Sequence, residues 1–191
     1  MKVVAVLGSP RVSSNSALLA QAAIKTTGAE AEDVRCFFLH ELNIKGCQGC
    51  YSCKNKTETC IVTDDLSPVL SAAGAADLVI LTAPIYIGDI SAQQKIFIDR
   101  TFSWFKPDFE ANPAPGRLEP GKRLLFITTQ FQPDLSLYTS RIDFYLNYFQ
   151  NQGFQTAKMM AANLGDKEDV SETRPDLFRT VEVIVTSLLN A

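Results

Sequence analysis

A doubly wound α/β fold, with five parallel strands in one sheet and helices on both faces (three αβα layers), is predicted by three features of this 191-residue chain. Val3 to Leu7 and Leu78 to Leu81 are unbroken apolar runs, as expected of strands buried on both faces of a parallel sheet. Strand-like and helix-like stretches alternate from one end to the other, the pattern that builds parallel crossovers. The last stretch, with Leu177, Phe178, Val181, Ile184, Val185, Leu188 and Leu189, is an apolar stripe at helical spacing.

The elements follow in order. The first strand, Val3 to Leu7, ends at Gly8, and Gly8-Ser9-Pro10-Arg11-Val12-Ser13-Ser14-Asn15-Ser16 leads into an alanine-rich helix at Ala17 to Lys25, with Ser or Asn available as its cap. Val34 to Leu39 is the second strand. A loop from Lys45 to Thr63 follows, and Asp64-Asp65-Leu66-Ser67-Pro68 opens a helix with acidic residues where the dipole favours them. Asp77 to Thr82 is the third strand, Ala83 to Ile90 a loop, and 91–105 a helix ending in Phe102, Trp104 and Phe105. Residues 106–121, with Pro107, Pro113, Pro115, Gly116, Pro120 and Gly121, form an irregular excursion. Arg123 to Thr129 is the fourth strand, 136–150 an aromatic-rich helix, Phe154 to Met160 the fifth strand, and the apolar stripe the final helix. No internal repeat, low-complexity tract or linker interrupts this, so residues 1–191 are expected to form one domain.

With 46% hydrophobic residues the chain can bury a sizeable core. A net charge of −3 and the lack of any basic stretch interleaved with aromatics argue against nucleic acid or an anionic membrane as partner. The apolar run at the start is too short for a signal peptide, and no run of about eighteen apolar residues occurs elsewhere. A cytoplasmic protein is expected, in a reducing compartment where clustered cysteines point to metal or redox work.

Four of the five cysteines are so clustered: Cys47, Cys50, Cys53 and Cys60, spaced C-x2-C-x2-C-x6-C. Structural zinc usually uses two C-x2-C knuckles separated by a longer loop, or adds histidines. Here the third cysteine follows at once, and the only histidine, His40, lies upstream without knuckle spacing and reads as a surface or strand-end residue. The compact run matches an iron–sulfur pattern, with one [4Fe–4S] cubane on all four cysteines as its simplest form. Reduced thiols, a redox disulfide pair and zinc remain as alternatives. Cys36, within Val34 to Leu39, is expected to be an inert buried thiol.

Five strands in this alternation imply the order 2-1-3-4-5, whose switch point lies at the carboxyl ends of the first and third strands. Two unusual loops sit there. Ser9, Arg11, Ser14, Asn15 and Ser16 bring hydroxyls, an amide, a guanidinium and helix N-terminal amides to one place, which suits a single terminal phosphate. The loop is neither G-x-G-x-x-G nor a Walker loop, so FMN is favoured over a dinucleotide. Pro84, Ile85, Tyr86, Ile87 and Gly88 offer apolar surface and backbone amides to a flat ring. Capping and ordinary packing are the plain alternatives for each loop alone. A third loop, Thr128-Thr129-Gln130-Phe131-Gln132, is expected beside the same crevice.

Gly8-Ser9-Pro10-Arg11 with Ser14-Asn15-Ser16, and Pro84-Ile85-Tyr86-Ile87-Gly88 with Lys95 and Asp99-Arg100, resemble the NADPH-dependent FMN reductase-like branch of the flavodoxin superfamily. With Gly46, the four clustered cysteines and Asp64-Asp65, the chain resembles the iron–sulfur flavoproteins of anaerobic archaea and bacteria along nearly its whole length. The resemblance implies a flavodoxin-like fold. It assigns the phosphate to Ser9, Arg11, Ser14, Asn15 and Ser16, and the ribityl chain and ring to Pro84, Ile85, Tyr86, Ile87 and Gly88; Thr129 is expected beside them from its place in the loop after the fourth strand. It also implies a [4Fe–4S] cluster on Cys47, Cys50, Cys53 and Cys60, close to a flavin and often across a subunit interface, in a homodimer or homotetramer. The chain departs from relatives that carry glycines where it has Thr129-Gln130-Phe131-Gln132.

The activity implied is electron transfer. A low-potential donor such as ferredoxin supplies electrons through the cluster to FMN, and onward to an acceptor such as oxygen, peroxide or a quinone, with no acid–base residue demanded. The alternative is an NAD(P)H-dependent FMN or quinone reductase without a cluster; a third is a non-catalytic zinc module on the same scaffold. Lys95, Asp99 and Arg100 read as a helix-face charge cluster near a dimer contact. Phe102, Trp104, Phe105, Phe144, Tyr145, Tyr148 and Phe149 read as core, with an oligomer interface as the alternative.

Overall fold

Every residue of β1 (Val3–Leu7) is buried, as a central parallel strand requires. The computed structural model describes residues 1–164 and 170–191. After β1 come α1 (Asn15–Thr27), β2 (Val34–Phe38), α2 (Ser52–Asn55), α3 (Leu66–Ala75) and β3 (Leu78–Tyr86). Then follow β4 (Asp89–Ile90), α4 (Ala92–Arg100), β5 (Arg123–Thr129), α5 (Ser136–Gln150), β6 (Gln155–Ala161), α6 (Val170–Thr173) and α7 (Pro175–Asn190). The strand order is β2-β1-β3-β5-β6, all parallel, with β4 pairing β3 off this path. Setting aside that two-residue strand, this is the flavodoxin-like 2-1-3-4-5 order expected.

The pleat divides the strand residues between two cores. Val4, Val6, Val79, Leu81, Leu124 and Phe126 point to one face, where Leu66, Phe97, Ile142 and Phe149 of α3, α4 and α5 meet them. Val3, Ala5, Leu7, Ile80, Leu125 and Ile127 point to the other, beneath Leu19 and Ala23 of α1 and Val181, Val185 and Leu188 of α7.

Four expectations are corrected. The third strand does not stop at Thr82: it pairs with β5 as far as Pro84↔Thr129 and then turns into a hairpin with Tyr86 opposite Asp89. Pro84 is tolerated because β1 has already ended on the side where an N–H is missing, Thr82 O there accepting from Gly8 N at 2.8 Å. The two turn residues, Ile87 (φ 49) and Gly88 (φ 82), both have positive φ, the geometry of a type I′ turn. Residues Thr101–Trp104 tighten into a 3₁₀ turn after α4 instead of continuing it, with Phe105 just beyond. A short helix, α2, lies inside the cysteine loop, where none was expected. Cys36 is exposed, because β2 is an edge strand.

Most of the aromatic group is core. Trp104, Phe105, Tyr145 and Phe149 are buried, and edge-to-face contacts link Phe97 to Trp104, Phe105 to Tyr148 and Phe149 to Phe154. Phe144 is the exception, 64% exposed. Among the described residues no helix is long and apolar enough to cross a membrane.

Candidate functional site

Two cavities open at the carboxyl edge of the sheet or beside it. The first is a cleft of about 190 Å³ lined by Ser9, Arg11, Ser14, Asn15, Ser16, Pro84, Ile85, Tyr86 and Thr129, joined by Gln130, Phe131 and Leu164. The sequence thus picked out most of its wall. Ile87 and Gly88 do not line it; they form the hairpin tip, with Ile87 fully exposed.

The cleft is shaped by β1 turning into α1. Gly8 has to be glycine, since a Cβ there would lie 2.7 Å from Gln94 Cβ and 2.8 Å from Thr82 O. Gly8 O also accepts from Ser91 Oγ at 2.7 Å, tying the turn to the start of α4. Ser14 caps α1, its Oγ accepting from Ala17 N at 3.2 Å and lying 3.2 Å from Ser16 Oγ. Ser9 Oγ accepts from Arg11 N at 3.1 Å. Ser9, Ser14 and Ser16 are all buried and sit at the positive end of a 13-residue helix, a donor set that suits a dianionic phosphate. Tyr86 and Phe131, 44% and 74% exposed, stand at the rim where a flat ring could lie. Gln130, Phe131 and Leu164 were missed as site residues. The loop after the fourth strand signalled the first two; nothing local signalled Leu164, whose amide is brought in by a hydrogen bond to Gln130 O at 3.1 Å.

The second cavity, about 440 Å³, is lined by Cys47, Cys50, Cys53 and Cys60 on one side and by Ile98, Phe102, Tyr145 and Tyr148 among others opposite. Its wall is largely apolar, and burial pushes the Tyr145 and Tyr148 hydroxyls well above their ordinary range, so both phenols stay neutral. Among the described residues no three His, Cys, Asp or Glu side chains converge on a single-ion point. The four thiols are instead spread around one cavity, with Cys47 and Cys50 exposed and Cys53 and Cys60 partly buried. A set of four soft sulfur donors around one space is chemically suited to an iron–sulfur cluster.

Two basic side chains from distant parts of the chain, Arg100 and Arg117, and one within it, Lys54, hold this loop. Arg100, read in the sequence as part of a helix-face charge cluster, is 1% exposed. Its Nε donates to Cys60 Sγ at 3.0 Å, Nη1 to Lys45 O and Asp64 Oδ2 at 3.0 Å each, and Nη2 to Val62 O at 2.7 Å. Lys95 and Asp99, the other two members of that expected cluster, form a half-buried i,i+4 pair. Lys54, also buried, donates to Phe102 O at 2.6 Å and Phe105 O at 2.9 Å, lies 3.6 Å from Cys53 Sγ, and sits 4.2 Å from the Phe102 ring centroid. Arg117 donates to Cys53 O at 3.0 Å and Phe105 O at 2.8 Å.

The charges shift accordingly. Burial works against the Asp64 carboxylate, but the hydrogen bond from Arg100 and the amides of Lys45 and Leu66 outweigh it and hold its pKa below the usual range. Burial pushes the Lys54 ammonium down, with Cys53 acting in the opposite sense. Hydrogen bonds from Ser52 lower the Cys50 thiol.

The family model for NADPH-dependent FMN reductases matches residues 1–131. An iron-sulfur flavoprotein of Methanocaldococcus jannaschii is 35% identical over 101 residues, 53% of this chain and 52% of that protein. One from Archaeoglobus fulgidus is 36% identical over 100 residues, 52% of this chain and 45% of that protein. The aligned region spans about half the length of these curated relatives. Among solved structures, an NAD(P)H:quinone oxidoreductase from Methanothermobacter marburgensis superposes with a TM-score of 0.69 over 98% of this chain and 96% of that one, at 14% identity, a likeness of fold alone.

Proposed function

The chain belongs to the NADPH-dependent FMN reductase family, and from that premise we propose that it is a flavin-dependent oxidoreductase carrying FMN in the hydroxyl cleft and a [4Fe–4S] cluster on Cys47, Cys50, Cys53 and Cys60. The observation that carries the reading is the arrangement of the four cysteines around one cavity, with buried cations beside two of their sulfurs. When bound, the cluster supplies one-electron and FMN one- or two-electron chemistry, so the pair can join a low-potential one-electron donor such as ferredoxin to an acceptor such as a quinone, oxygen or peroxide.

The chain's own residues do the rest. Ser9, Ser14 and Ser16 donate to the phosphate, with Arg11 and Asn15 beside them and the amides of α1 behind. At 190 Å³ the cleft is smaller than the ~300–1,000 Å³ typical of drug-sized ligands, so it takes the phosphate end. Pro84, Ile85, Tyr86 and Thr129 then flank the ribityl chain and ring, and Phe131 covers the rim. Tyr145, Tyr148 and Phe102 keep the cysteine side apolar. A homodimer or homotetramer, with Phe144 and the Ile87 tip at the contact, agrees with their exposure.

Anaerobic purification with iron, sulfide and FMN assays and a visible spectrum tests this. About four iron per chain with a shoulder near 400 nm over the flavin bands supports the two-centre carrier. FMN without iron after anaerobic reconstitution overturns it. The second reading, an NAD(P)H-dependent FMN or quinone reductase whose cysteines stay reduced or form a disulfide, draws on the matched family and on the sulfurs' failure to converge on one point among the described residues. NADPH-driven turnover in iron-free protein distinguishes it.

A further inference from the structure

Arginine is rarely buried without a reason, because its guanidinium stays charged in proteins and needs an acceptor for each of its five N–H groups. Arg100 lies at the end of α4 with 1% of its surface exposed, and four of its N–H groups have acceptors on the cysteine loop or its flanks. Lys45 O stands before the first cysteine, while Val62 O and Asp64 stand after the last. One side chain therefore joins the two ends of the loop. Lys45 N also donates to Asp64 Oδ2 at 2.8 Å, so the same carboxylate braces both the guanidinium and the loop's entry.

The fourth acceptor is the sulfur of Cys60, at 3.0 Å from Nε. Hydrogen bonds to ligand sulfurs and nearby positive charge are among the levers that set the potential of a thiolate-bound cluster. Lys54 repeats the arrangement at lower strength: its ammonium is fixed by two carbonyls and lies 3.6 Å from Cys53 Sγ. The two sulfurs that receive cations are the partly buried ones, and Cys47 and Cys50 on the outer side are exposed. The loop thus has an inner side held by buried cations and an outer side open to a partner.

We propose that Arg100, supported by Lys54, is the positioning residue of the cysteine centre: it closes the loop by its ends and donates a charged N–H to the Cys60 sulfur, so that the centre is both retained and easier to reduce. The proposal rests on the reading that these cysteines hold a [4Fe–4S] cluster.

The test compares wild type, Arg100→Lys, Arg100→Gln and Lys54→Gln, each as the full chain, reconstituted anaerobically with iron and sulfide. FMN content reports the separate cleft and serves as the folding control. Midpoint potential is read by redox titration, the dithionite-reduced centre by its electron paramagnetic resonance spectrum, and loop closure by the rate of trypsin cleavage at the exposed Lys56 in metal-free protein. Expected are a lower potential and an altered spectrum in Arg100→Lys and, more so, in Arg100→Gln. Lys54→Gln should show a smaller shift in the same direction. Cleavage at Lys56 should be at least threefold faster in both Arg100 variants, with FMN retained. Wild-type potential, spectrum and cleavage rate in FMN-retaining Arg100→Lys and Arg100→Gln would overturn the proposal. If both Arg100 variants lose FMN, an unshifted potential in Lys54→Gln overturns it and a lowered one supports it. If wild type itself takes up no iron, the cluster reading fails separately; unchanged cleavage then also removes the loop-closing role, and faster cleavage retains it.

Discussion

In the hydroxyl cleft, Ser9 and Ser14 belong to the short connection between β1 and α1 and Ser16 to the first turn of α1, and their partners are neighbours in sequence: Arg11 N for Ser9, Ala17 N for Ser14. In the cysteine loop the groups that hold the structure come from far away. Arg100 reaches Asp64 across 36 residues and Lys45 across 55, Lys54 reaches Phe105 across 51, and Arg117 reaches Cys53 across 64. The first region is a by-product of the sheet and its first crossover. The second is an irregular segment that keeps its shape only while long-range ionic and carbonyl contacts survive, and it should open before the sheet does.

The strongest way to erase this difference is to weaken the sheet that both regions lean on. Phe126→Ala, at a fully buried position of β5, should cost about 3–5 kcal/mol and lower the urea midpoint, with the cleft and the loop lost together. A still-protected cleft in that variant would show that the two regions do not share one cooperative core.

A change of about 3 kcal/mol confined to the loop is expected of Asp64→Asn, which leaves the buried guanidinium of Arg100 without its counter-charge. The pH dependence sharpens the point. The Asp64 pKa is depressed in the folded chain, so its stabilisation is complete above the ordinary carboxylate value of about 4 and is lost as pH falls through the lower folded value. Acid titration followed by proteolysis should open the wild-type loop at low pH, while Asp64→Asn opens more readily at neutral pH and responds less to acid. An identical acid response in both proteins would assign the effect to other carboxylates.

Ser14→Ala acts on the cleft alone. Loss of the α1 cap should cost about 1 kcal/mol in thermal unfolding and weaken FMN binding, leaving cleavage of the cysteine loop unaltered. A variant with full FMN affinity would remove Ser14 from the phosphate site.

The smallest effect is expected at the hairpin tip. Ile87 is a β-branched residue at φ 49 with its side chain fully in solvent, a conformation that costs roughly 1 kcal/mol and that asparagine adopts more readily. Ile87→Asn should therefore raise the melting temperature of the monomeric chain slightly. A lower melting temperature would mean that the isoleucine makes a contact in an assembly or with the flavin that outweighs its strain.

Much of this architecture was legible beforehand. β1 (Val3–Leu7), β5 (Arg123–Thr129) and α5 (Ser136–Gln150) end where their sequence patterns end. Unbroken apolar runs and helical stripes are local signals, and the crossover rule converts their order into a sheet. The cleft was legible for the same reason, since its hydroxyls sit in consecutive turns beside a strand end. The hairpin at Tyr86 to Asp89 was less so, because Pro84 argues against a strand until it is known that β1 has already ended beside it.

What the amino-acid order determined by itself was the alternation of elements, the switch point, the hydroxyl turn, and the gathering of four soft ligands in one loop. Tertiary structure decided what holds that loop, because a cation among carbonyls is invisible until distant segments meet. Arg100 reads in sequence as one member of a helix-face charge cluster and Lys54 carries no local signal, yet both are buried in the fold. Gly116 reads as one more residue of a proline-rich excursion, yet a Cβ there would lie 2.2 Å from Gln152 O. Local periodicity reports what a segment does with its own backbone; the partners of a buried charge or a crowded glycine are set only by packing between segments.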